Sequence, residues 1–108
     1  MTNPAGGMPA DDVRQPDRAD VIAAAVSGVE GVAALHGGLF GEAATYLPGR
    51  RVTGVRLSDD GVEVHVTVSY GRSVHAVADA VRTAVASLVT GSVDVIVEDV
   101  ELTEHAIT

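Results

Sequence analysis

From Val62 to Tyr70 the chain alternates without a fault. Val62, Val64, Val66, Val68 and Tyr70 fall on one side of an extended strand, and Glu63, His65, Thr67 and Ser69 on the other. Successive side chains of a strand point to opposite faces, so this stretch predicts one covered face and one polar, open face. The period then changes. Gly71 ends the strand, Ser73 stands where a helix cap belongs, and Val74, Val77, Ala78, Val81, Ala84, Val85, Leu88 and Val89 recur at helical spacing. His75, Asp79, Arg82 and Ala86 take the outer side of that helix. Valine is a mediocre helix former, because its branched Cβ loses rotamer freedom against the preceding turn. A helix with this many valines at core spacing draws its stability from packing, and the alternating strand supplies the surface to pack on.

The remaining elements extend this pair into a domain. Asp17 is placed to cap a first, short helix; Asp20 follows three residues later, and Ile22, Ala25, Val26 and Val29 share one face before Gly28 and Gly31 end it. Val32 to Leu35 suits a short strand. Gly37, Gly38 and Gly41 mark a connector, with a brief helical turn expected at Glu42-Ala43-Ala44, and Pro48-Gly49 is a turn signal. Val52 to Ser58 and Val62 to Tyr70 flank Asp59-Asp60-Gly61 and predict a hairpin. After Gly91, Val93, Val95 and Val97 alternate, but Val100 and Leu102 sit on the opposite parity; a bulge or strand end is therefore expected near Glu98-Asp99. The long helix lies between two strands as a crossover, which makes those strands parallel and the connection right-handed. The expected fold is two-layer α+β: a small mixed β-sheet, hairpin plus parallel crossover strand, with one long and one short helix on one face. Residues 1–16, punctuated by Pro4, Gly6, Gly7, Pro9 and Pro16, read as a disordered arm, and 17–108 as one domain.

Composition removes several function classes. With 108 residues and no cysteine, the chain must form one core without disulfides or thiolate metal sites. All seven basic residues are arginine, against fifteen carboxylates and a formal net charge of −8. That field repels phosphate backbones and anionic bilayers, so neither nucleic acid nor bare lipid is an expected partner. No run of about 18 apolar residues exists, so direct membrane insertion is not expected. Val21 to Val29 is short for a signal segment and follows aspartates at 11, 12, 17 and 20, the wrong flank for export. A cytoplasmic location is expected.

The candidate chemistry is sparse. The connector Gly37-Gly38-Leu39-Phe40-Gly41 lacks the lysine that a phosphate loop needs. His36, His65, His75 and His105 are the only nitrogen ligands; His75 and Asp79 share a helix face and could form a metal or general-base pair, but the set falls short of the three or four ligands of a zinc site. Ser69-Tyr70-Gly71-Arg72-Ser73 does not have the spacing of a nucleophile elbow. Asp59-Asp60 reads as a solvated turn. No catalytic residue, metal or cofactor is expected. Phe40 and Tyr46 read first as plugs at the edge of the core and second as a contact surface. Arg50, Arg51 and Arg56 form a local basic cluster in an acidic chain, with a solvated strand edge as the plain reading. With His65 on the polar strand face, these six residues are the candidates for an interaction surface.

The string Thr45-Tyr46-Leu47-Pro48-Gly49-Arg50-Arg51-Val52-Thr53-Gly54-Val55-Arg56 resembles a motif of the alkaline-shock, general-stress type of envelope stress response proteins. Gly31-Val32-Ala33-Ala34-Leu35, the Val64 to Gly71 segment ending in Tyr70-Gly71, and Val93 to Val100 extend the resemblance from about residue 20 to about residue 100, in the short, arginine-rich variety of high-GC bacteria. Where the longer pattern has Met-Thr-Gly-Leu and a later asparagine, this chain has Val89-Thr90-Gly91-Ser92 and Asp94, and the lysine-rich tail is missing. The resemblance implies a non-enzymatic, cytosolic, self-associating protein linked to envelope stress. It implies a homo-oligomer that reaches the membrane peripherally, through a small membrane-anchored protein partner. The alternative from a different class is a small-ligand or metal-binding module built on His75, Asp79 and the glycine-rich connector.

Overall fold

The computed structural model describes residues 17–102. The arm expected over residues 1–16, and His105, lie outside them. In chain order the elements are α1 (Arg18–Ser27), β1 (Val32–Leu35), β2 (Ala44–Leu47), β3 (Arg50–Thr53), β4 (Val55–Leu57), β5 (Gly61–Ser69), α2 (Val74–Ala86) and β6 (Ser92–Glu101). The fold is α+β.

Both helices begin where capping chemistry places them. The Asp17 carboxylate accepts the Ala19 N–H at 3.0 Å, and the Ser73 hydroxyl accepts the Ala76 N–H at 3.2 Å, each satisfying a donor that the helix itself cannot. The second helix ends at Ala86 rather than running on to Val89, although Val89 still packs against the core.

β5 is the centre of the sheet. On one edge it pairs in parallel with β6. On the other edge it meets β1 and β4, both antiparallel and laid end to end: β1 opposite Val66–Val68, β4 opposite Val62–Val64. His65 is the junction. Its N–H donates to the Gly54 carbonyl at 2.8 Å, and its own carbonyl accepts the His36 N–H at 2.9 Å. One edge row is thus split into two halves, with residues 37–53 leaving the sheet between them.

That excursion carries the main correction to the sequence reading. The continuous strand expected from Val52 to Ser58 breaks at Gly54, whose φ of 84° lies in the left-handed region and turns the chain. Arg50–Thr53 instead folds back on Ala44–Leu47 as a separate hairpin. Its two-residue loop is Pro48-Gly49: proline pre-sets the first position and Gly49 takes a φ of 76° at the second. The helical turn expected at Glu42-Ala43-Ala44 is absent, because Ala44 already pairs with Thr53.

The core lies between the two helices and one sheet face. Ile22 and Val26 of α1, Val77, Val81 and Val85 of α2, and Val62, Val64, Val66 and Val68 of β5 form it, joined by Val52 and Val55. At about 25 cal/mol per Å² of apolar surface, each such valine contributes about 1.5–3 kcal/mol. Tyr70, expected on the covered face, lies past the end of β5 and is 61% exposed.

The phase change in the last strand is a bulge. Val97 stands opposite Val66 and Asp99 opposite Thr67, so Glu98 is the extra residue. It restores Val100 to the side of Val68 and aims the Glu98 carboxylate across the other face of the sheet.

Candidate interaction site

The face of β5 away from the helices was expected to be an open polar surface. It is not open at its centre: His65 is 7% and Thr67 6% exposed. Two devices close it. The bulge delivers Glu98 from β6, and the edge row splits at His65 itself, where the connector departs. The His65 ring is held at both nitrogens. Nδ1 lies 2.6 Å from Glu98 Oε2, and Nε2 lies 3.0 Å from Glu63 Oε1. Burial by itself disfavours the charged ring, but the hydrogen bonds it donates to Glu98 and then to Glu63 outweigh that, and the pKa of His65 is raised.

Beside this pair, Glu63 also stands 3.7 Å from Arg56 Nη1, its cross-strand neighbour on β4. Arg56 and Glu63 form part of the wall of a polar cavity of about 190 Å³, with Ser58, Asp60, Ser92 and Asp94.

The connector is a braced loop. Ala43 N–H bonds the Gly37 carbonyl at 2.9 Å, Gly38 N–H bonds His36 Nδ1 at 2.9 Å, and Phe40 N–H bonds Glu42 Oε1 at 3.0 Å. Hydrogen bonds from its own N–H and that of Phe40 lower the pKa of Glu42, and His65 and Arg56 add smaller electrostatic contributions. At the apex Leu39 and Phe40 are 83% and 91% exposed. Tyr46, on β2, is also exposed. Phe40 and Tyr46 therefore do not plug the core, which is filled mainly by valines.

The three candidate arginines do not act as one cluster. Arg50 makes a two-pronged contact with Asp20 of α1, at 2.9 and 2.6 Å, tying the β2–β3 hairpin to the first helix and lowering the Asp20 pKa. Arg56 serves Glu63 on the main sheet. Arg51 is exposed and has no ion pair among the described residues. His75 and Asp79 are both exposed on α2, and the Asp79 carboxylate accepts from Arg82 at 2.9 Å. Among the described residues no group of three metal-capable side chains converges.

Leu39, Glu42 and Glu98 were not among the candidates from the sequence, whereas Glu63 was placed on the polar face of the strand without its partners. The parity slip at Glu98-Asp99 was the available signal for Glu98, since a bulge re-aims one side chain.

Residues 18–107 match the alkaline shock protein 23 family, described as having a cell envelope-related function. The chain belongs to this family. No curated protein and no solved structure matches. Among the described residues no helix is long and apolar enough to cross a membrane.

Proposed function

We propose that this member of the family is a non-enzymatic, self-associating adaptor of the cell envelope, reaching the membrane peripherally from the cytoplasm through a protein partner. The observation that carries the reading is the connector apex. Leu39 and Phe40 stand almost fully in solvent on a loop braced at both ends, which is costly for a monomer and suits a knob that enters an apolar cleft. The net charge of −8 favours a protein cleft over an anionic lipid surface. Self-association has a separate support: β6 is ten residues long and pairs, among the described residues, along one edge only, which leaves a row of backbone groups for strand addition.

The test is flotation of the wild-type chain and a Leu39→Ser, Phe40→Ser double variant with native membranes and with protein-free anionic vesicles. The wild type should float with native membranes and not with bare vesicles, and the variant should float with neither. Tight binding of wild type to bare vesicles would refute the partner-mediated reading. A strict monomer at high concentration by light scattering would refute self-association.

A further inference from the structure

The His65 ring is bonded to a carboxylate at each nitrogen, and with both carboxylates ionised only one protonation state of the ring makes both contacts hydrogen bonds. The imidazolium has two N–H donors; the neutral ring has one donor and one lone pair. When the proton leaves, one carboxylate must face a lone pair. The two carboxylates differ in what they can do next. The Glu98 contact is the shorter, at 2.6 Å, and its side chain is 17% exposed; the Glu63 contact is 3.0 Å and its side chain is 40% exposed. Glu63 also has a second cation within reach, Arg56 at 3.7 Å, whereas no other ion pair to Glu98 is formed among the described residues.

We propose that His65 is a proton switch that decides which cation Glu63 serves: the imidazolium clasps Glu63 and Glu98 together, and the neutral ring keeps Glu98 and hands Glu63 to Arg56. The proton goes to solvent from Nε2, and the ring remains as the Nδ1–H tautomer bonded to the bulge of β6. Because Arg56 and Glu63 share the wall of the polar cavity, the transfer changes the charge displayed there. With His65 charged, the Arg56 guanidinium is only loosely engaged; with His65 neutral, it is paired.

The groups around the ring support this direction. From β5 comes Glu63, from β6 Glu98, and from β4 Arg56. The connector brings Glu42, whose carboxylate is within electrostatic range of both His65 and Arg56. β1 leads into His36, which meets His65 through its backbone N–H and whose ring accepts from Gly38 N–H. Asp94 stands opposite Glu63 on β6. Carboxylates thus outnumber the single arginine, and the local field holds the proton on His65, consistent with its raised pKa. The switch rests on the sheet alone and is independent of the adaptor reading.

The experiment is a pH titration of the ¹⁵N-labelled full chain by NMR. His65 should titrate above the ordinary histidine range, and above its midpoint the ring nitrogens should report the Nδ1–H tautomer. In the same step, exchange of the Arg56 guanidinium Nη protons with solvent, corrected for its base dependence, should slow by about threefold, as for a half-exposed ion pair. Glu98→Gln should lower the His65 midpoint more than Glu63→Gln does. Glu63→Gln should abolish the Arg56 step while leaving the tautomer unchanged. An Nε2–H tautomer, an unraised midpoint, or an Arg56 step that survives Glu63→Gln would each overturn the proposal. The wild-type tautomer needs no variant, so the test does not depend on any substitution folding.

Discussion

Replacing Gly54 by alanine tests whether the edge row of the sheet is split where the structure splits it. Gly54 has a φ of 84°, where an L side chain costs about 1–2 kcal/mol. An added Cβ would also lie 2.8 Å from Leu35 Cβ and 3.0 Å from the His65 carbonyl oxygen. Those neighbours cannot give way freely: Leu35 is paired opposite Val66 in β1, and the His65 carbonyl holds the His36 N–H. Overpacking of this kind adds about 1–3 kcal/mol. The sum, about 2–5 kcal/mol, is a large part of the 5–15 kcal/mol that typically separates folded from unfolded domains. Gly49→Ala is the control. Its φ of 76° carries the same backbone cost, but an added Cβ meets nothing within 4 Å. With a urea m-value of about 1.5 kcal/mol/M, Gly54→Ala should lower the unfolding midpoint by about 2 M and Gly49→Ala by about 1 M, at unchanged slope. Equal midpoints for the two variants would refute the close approach of Gly54 to Leu35 and His65, and with it the split row.

Val66→Asp and Val81→Asp should each abolish cooperative unfolding followed by circular dichroism, since both valines are fully buried and the carboxylate would have no partner. Arg51→Ala, on an exposed side chain with no ion pair among the described residues, should stay within about 0.5 kcal/mol of wild type, and equal tolerance of all three would refute the assigned faces. The contribution of His65 to stability should be full below about pH 6.5, the ordinary histidine value, and fade as pH rises through its raised folded-state pKa. Urea midpoints of wild type minus His65→Gln, measured from acid to alkaline pH, should therefore decline; a difference that stays flat or grows with pH would refute the doubly bonded ring.

The local pattern by itself determined the elements whose physics is local. Asp17 and Ser73 cap helices because a side-chain oxygen before a helical period has free N–H donors to meet, wherever the helix later docks. The alternation from Val62 to Val68 named the buried face, and the parity slip at Glu98-Asp99 narrowed that point to a bulge or a strand end, which the pairing with β5 resolves as a bulge. The family string around Pro48-Gly49 was legible too. What only the tertiary structure decided is everything that depends on two distant segments meeting. Val52–Thr53 looked continuous with Val55–Leu57 because both halves have strand character; the break at Gly54 is set by its approach to Leu35 and His65, nineteen and eleven positions away in sequence. His65 read as an exposed strand residue because alternation assigns a face but not what covers it. Its burial, its two carboxylates and its role at the junction of β1 and β4 come from Glu98, thirty-three residues on, and from a connector that leaves the sheet beside it. Phe40 and Tyr46 went the other way. Aromatic side chains are ordinarily assigned inward, but here the valines of α1, α2 and β5 already fill the core, and the braced loop holds Phe40 out in solvent.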